Sequence, residues 1–213
     1  MDPAIQNAIA RVPIWKRITL GTHAGVNAVR KALETARMGV GDSADEILGR
    51  PAFVFSRTTT QLDLVVLAPS NLGFAGESPT LAEIYHRAAQ LGLEQCPGEA
   101  GPLLRLQYIN QPVGEFLHIA MQPIATYGGA LVDLTVANGG AGLLLLGGDG
   151  SPDVRVSTRA KFVFVRPSRV AMPNASREHP GLTSGTHAAE QPSSRLDGTP
   201  SFGCGRDDGQ CID

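Results

Sequence analysis

Reactive side chains are densest between Leu91 and Ile124. That block holds Cys96, Glu94, Glu99, Glu115, Arg105, Tyr108 and His118 among two strand-like apolar runs. Cys96 and His118 suggest a thiol nucleophile and its base, with Glu94, Glu99 or Glu115 to orient the imidazole. Cys96 precedes Pro97 shortly after a helical segment, which suits an exposed turn. The surroundings match no cysteine-hydrolase signature, and such signatures are family-specific. The plainer reading packs Cys96 at a helix–strand junction and lays His118 on a strand face. A second arrangement is polar. Arg105, Gln107, Tyr108, Gln111 and Glu115 flank a predicted hairpin, where Arg105 and Gln107 share one strand face and Tyr108 points to the other. Such a face is either the solvated side of a sheet or a binding surface. The candidate cluster is therefore Cys96, Arg105, Gln107, Glu115 and His118.

Other chemistries find less footing. His23, His86, His118, His179 and His187 form no H-x-x-x-H or H-x-H pair, and there is no C-x-x-C, so no metal site is expected. Glu115 and His118, three apart on a strand, point to opposite faces. Asp149, Gly150 and Asp153 imitate part of a calcium loop without its other acidic ligands. The glycine clusters 139–142 and 147–150 lack the Lys-Ser/Thr of a phosphate loop and read as turns. No cofactor is implied.

The elements that must position these residues follow from periodicity. Trp15 to Gly21 alternates as a short strand. Val26, Val29, Leu33 and Ala36 mark one face of a helix capped by Thr22. Ser43 and Glu46 suggest a capping box for a short helix through Leu48, stopped by Gly49 and Pro51. Phe53 to Phe55 and Leu62 to Leu67 read as a hairpin, followed by a loop from Pro69 to Glu77. Ser78 and Pro79 open a helix whose stripe is Leu81, Ile84, Tyr85, Ala88 and Leu91. Beyond Gly92 five strands are expected: Leu103–Ile109, Glu115–Gln122, Leu131–Val136, Gly142–Leu146 and Phe162–Val165. Short turns between them favour an antiparallel β-meander with two or three helices packed on it, an α+β fold. The expected layout is an extension over residues 1–11, one domain over 12–167 and a tail over 168–213. The tail's apolar residues have no period and cannot offset the backbone entropy of ordering, about 1–2 kcal/mol per residue, so it is expected to be disordered. Cys204 and Cys211 lie in it as incidental thiols.

Bulk composition limits the function classes. All of the formal net charge of −2 falls in residues 168–213, while residues 1–167 balance. A neutral domain is not expected to bind nucleic acid generally. The longest apolar stretch, Ala141 to Leu146, is far short of the ~20 residues of a membrane span. The N-terminal segment is acidic at Asp2 and has no signal-like apolar run, so a cytoplasmic location is expected.

Six segments stand out together: WKRITLGT (15–22), ADEILGRPAF (44–53), LDLVVL (62–67), EIYHRAAQLGLEQCP (83–97), GPLLRLQYINQPVGEFLHIAMQPI (101–124) and KFVFVRP (161–167). In order and spacing, over residues 14–167, this resembles a group of small uncharacterised bacterial proteins. That group shares a WKxIxLGT start, LGLExCP, LRLQYxDQPxGExLxIAM and an FVFVR end. Two departures are plain: GLLLLGGDGSPDVRVSTRA (142–160) lacks the aromatic residues expected there, and this chain continues past FVFVR. The resemblance implies a bacterial domain and no particular activity. The expectation is a small accessory or binding module for a protein partner or small ligand. The alternative is a hydrolase using the Cys96/His118 pair.

Overall fold

The computed structural model describes residues 12–74, 76 and 78–167. Extensions 1–11 and 168–213, with the tail expectation and with Cys204 and Cys211, lie outside the described residues. The fold is α+β. Among the described residues, four α-helices accompany one mixed, mostly antiparallel sheet of seven strands. The strands are β1 (Lys16–Leu20), β2 (Gly39–Val40), β3 (Thr60–Leu67), β4 (Glu115–Ala125), β5 (Leu131–Asn138), β6 (Leu143–Asp149) and β7 (Lys161–Val165). Their spatial order is β1-β3-β7-β4-β5-β6-β2.

A pure meander does not form. β4, β5 and β6 follow one another antiparallel, as expected of short turns. The last strand, β7, returns to the middle of the sheet, antiparallel to β3 and parallel to β4. Its sequence, KFVFV, fits that place: Phe162 to Val165 are all buried, and a strand covered on both faces needs a continuous apolar run. β2 lies parallel to β6 at one edge. The hairpin expected from Phe53–Phe55 and Leu62–Leu67 does not form either. β1 takes the edge of β3, pairing Lys16 with Leu64 and Leu20 with Thr60, and residues 53–55 belong to no strand.

Helices cover both faces. α1 (Val26–Thr35), α2 (Asp42–Leu48) and α4 (Ala100–Gln107) bury Val29, Leu33, Ile47, Leu103 and Leu104 against Ile18, Leu64, Leu117, Ile119, Leu134 and Val163. α3 (Leu81–Gln90) covers the opposite face with Leu81, Ile84 and Ala88 on Val65, Ala120, Phe162 and Phe164. Tyr85 meets Phe162 and Phe164 edge-on. This is the stripe expected from the sequence.

The largest departure is α4. The run Leu103–Ile109, read as a strand, belongs to a helix beginning at Ala100. Leu103, Arg105 and Gln107 alternate well enough for a strand, but Ala100, Leu103 and Leu104 also satisfy helical spacing, and a short apolar run cannot decide between periods. Pro102 sits in the first turn, where its missing N–H leaves no intrahelical bond unmade.

Caps also differ from expectation. Thr80, not Ser78, caps α3: its Oγ1 accepts from Glu83 N at 3.2 Å, and Glu83 Oε2 accepts from Thr80 N at 2.8 Å. Gly25, not Thr22, precedes α1, and Gly41 precedes α2 without a side-chain cap. Glu46 instead accepts from Tyr127 N at 2.6 Å, fastening the β4–β5 turn to α2. Gly147 and Gly148 lie within β6 rather than in a turn. A Cβ on Gly147 would stand 2.4 Å from Ser43 Oγ and 2.9 Å from Ala44 N, so glycine there lets α2 approach the sheet.

Ile84 has no exposed surface. Ile84→Ala is expected to cost about 2–5 kcal/mol in urea unfolding, the range for a large-to-alanine change in a filled core. A loss below about 0.5 kcal/mol would mean that α3 does not hold the sheet through this residue.

Candidate functional site

The sheet separates the two groups of the thiol reading. Segment 94–96 is wedged beside β7 and β4: Glu94 exchanges both backbone hydrogen bonds with Val165 at 2.9 Å, and Cys96 N donates to Ala120 O at 2.6 Å. Cys96 packs in the α1/α2/α4-side core with Ile119, Met121 and Val163. Its Sγ donates to Val163 O at 3.4 Å. Burial pushes the thiol up to about 12, the reverse of what a nucleophilic cysteine needs. His118 alternates with Leu117 and Ile119 along β4 and so projects from the other face. There it stacks on Phe162 with ring centroids 5.1 Å apart, and its Nδ1 lies 3.2 Å from Thr135 Oγ1. Burial lowers its pKa.

The remaining predicted cluster is drawn into structural bonding. Arg105 and Gln107 share no face, because on a helix residues two apart diverge. Arg105 is fully buried. Its Nη1 donates to Gln111 Oε1 and, at 3.2 Å, to Ala137 O; its Nη2 donates to Tyr108 O. Gln111 Nε2 in turn donates to Glu115 O and Val136 O, both at 3.1 Å. Burial lowers the Arg105 guanidinium to about 10. Gln107 clasps the outer edge of β1: Thr19 N donates to its Oε1 and its Nε2 donates to Thr19 O, each at 3.0 Å. The side-chain amide stands in for a neighbouring strand and closes that stretch of edge. Glu115 accepts from Tyr108 OH at 2.8 Å and from Lys161 Nζ at 2.9 Å.

An open, concave arrangement lies elsewhere. A cleft of about 390 Å³ runs between the 52–56 loop, the 96–99 turn and residues 121–124 of β4. β4 shifts register between Ile119 and Ile124, and this irregularity bends the strand out of its pairing. Phe53, Pro97, Met121 and Ile124 give apolar walls. Gly98 permits the approach of wall to turn, since a Cβ there would lie 3.3 Å from Phe53 and 3.4 Å from Met121. Ser56, Gln122 and Glu99 are the polar side chains among the described lining residues, and Glu99, at the N-terminal end of α4, is the acidic one. It is 1% exposed. Ser56 Oγ donates to its Oε1, while its Oε2 has no hydrogen-bond partner. A buried polar atom left unpaired costs about 1–3 kcal/mol, more when charged. Among the described residues lining the cleft there is no Lys, Arg or His. The sequence named Glu99 only as one of three partners for His118. Its approach to Ser56, 43 residues earlier, has no local signal.

Among the described residues, no group of three or more His, Cys, Asp or Glu stands close enough to hold a metal ion. No described helix is long and apolar enough to cross a membrane. Compared with protein-family models, with curated proteins and with solved structures, the chain gives no match.

One further acid is perturbed. Asp133, on β5, is buried, and burial raises its carboxyl to about 7, with Asp149 adding to the effect and the Gly148 amide opposing it. Unfolded, the same carboxyl ionises near its usual 3.8. Between those two values the unfolded chain has released a proton that the folded chain retains, so this group's contribution to stability falls as pH rises through the window. Asp133→Asn is therefore expected to raise stability at pH 8 by up to about 4 kcal/mol, from about 1.4 kcal/mol per pKa unit. Near pH 4 the two proteins should agree. Urea unfolding at both pH values checks this, and an Asn variant with no gain at pH 8 would contradict it.

Proposed function

We propose that this domain is a small-ligand-binding module whose ligand sits in the cleft between the 52–56 loop and the 96–99 turn. The observation carrying this reading is Glu99: a fully buried carboxylate that lines a cleft and keeps one oxygen without a partner. Folds satisfy nearly all buried polar atoms, and an exception in a concave site favours a ligand that supplies the missing donor. The cleft's size lies near the lower end of small-molecule pockets. Its walls come from a loop, a turn and a strand irregularity, all held by a sheet packed on both faces, which suits a rigid receptor. The thiol-hydrolase alternative draws no comparable support, because Cys96 is bonded to Val163 O and His118 lies across the sheet.

A fragment screen followed by amide chemical shifts tests the reading. Fragments that bind are expected to shift Ser56, Gly98 and Met121 together. Ala52 is exposed at the cleft's rim, so Ala52→Trp should block those shifts while leaving the melting temperature nearly unchanged. Fragments that cluster away from these residues, or that ignore Ala52→Trp, would overturn it.

A further inference from the structure

We propose that the cleft selects an organic cation: a primary ammonium carried on a small apolar or aromatic body. This deepens the reading of the cleft as a ligand site and rests on it. Three features converge. Glu99 is the one carboxylate among the described lining residues, and no cationic side chain lines the cleft to neutralise it. Cys96 adds no charge, since its buried thiol stays protonated. A buried carboxyl group is best satisfied by a cation that also donates a hydrogen bond, and an incoming ammonium supplies both the charge and the donor that Oε2 lacks.

The hydrogen-bond geometry narrows the class. Ser56 already occupies Oε1. A guanidinium fork uses both carboxylate oxygens in parallel and would have to displace the serine. An ammonium needs one oxygen, and Oε2 has no partner; that oxygen is buried, so the ligand reaches it as the Glu99 side chain turns toward the cleft. The walls fit the rest of such a ligand. Phe53 offers an aromatic ring, which attracts cations through its quadrupole, and Met121 offers a polarizable thioether that adapts to an apolar body. A free anion finds no cationic side chain among the described lining residues.

Isothermal titration of the full chain with benzylammonium chloride, and separately with benzyl alcohol as its neutral counterpart, tests the proposal. Wild-type protein is expected to bind benzylammonium at least about tenfold more tightly than benzyl alcohol, the discrimination given by one charge-assisted hydrogen bond in a desolvated site. Glu99→Gln is expected to bring the two probes to similar affinity. Ser56→Ala is expected to keep the ammonium preference and to improve binding of benzamidinium, because both carboxylate oxygens are then free. Amide shifts at Ser56, Gly98 and Met121 locate the binding. Equal affinity for the two probes in wild type, with both in the cleft, would overturn the cation inference and leave the ligand-site reading standing. Failure of both probes to shift the cleft residues would overturn both. The wild-type comparison decides the matter even where a variant fails to fold.

Discussion

A guanidinium with no exposed surface ties this fold together. Arg105 sits where α4 meets the β4–β5 hairpin and donates to three acceptors from three segments: the Tyr108 carbonyl that ends the helix, the Gln111 side chain in the loop, and the Ala137 carbonyl on β5. Gln111 passes the connection to β4 and β5 through the Glu115 and Val136 carbonyls. Asn138 Nδ2 closes the loop by donating to Gln111 O at 2.8 Å. No carboxylate takes part in the described bonding of Arg105, so a buried cation is held entirely by neutral dipoles. Its Nε has no hydrogen-bond partner, so these three acceptors offset only part of the cost of burial, and losing any of them makes the knot costlier still. It fixes α4, and with α4 it fixes Glu99 at the start of that helix.

The other polar residues of this region divide by the same logic. Gln107 seals the β1 edge and Glu115 joins Tyr108 to Lys161, so their bonding capacity is used within the fold. Glu99 is as buried as Arg105, and each keeps one polar atom without a hydrogen-bond partner, Oε2 of Glu99 and Nε of Arg105. Glu99 differs in lining an open cleft. Residues kept for binding commonly lower stability, whereas residues kept for folding raise it. Arg105 spends its two terminal nitrogens on three acceptors within the fold, whereas Glu99 accepts from Ser56 alone.

Much of the scaffold was legible in the chain. The α3 stripe was readable because five apolar residues repeat at helical spacing over more than two turns. β4, β5 and β7 were readable from their strand-like runs and bounding turn residues. The failures have common causes. Leu103 to Ile109 carries both periods, and only tertiary packing chose helix. The central place of β7 depends on pairing with β3, far away in sequence. The pairing of Cys96 with His118 looked open in one dimension because alternation along β4 fixes opposite faces for Leu117 and His118 without saying which face Cys96 will join. The cleft was the least legible feature, since it exists only where residues 52–56 meet residues 96–99, and its key property is an oxygen that bonds to nothing.

The most direct measurement is the urea unfolding free energy of Arg105→Met beside that of Glu99→Gln. On this account Arg105→Met loses about 3 kcal/mol or more, because three acceptors lose their donor at about 1–3 kcal/mol each. Glu99→Gln keeps an acceptor for Ser56 Oγ and replaces the unpartnered Oε2, and should unfold within about 0.5 kcal/mol of the parent protein, or at higher urea. A Glu99→Gln loss as large as that of Arg105→Met would show that Glu99 is another fastener of the fold, and the case for a ligand in the cleft would fall with it.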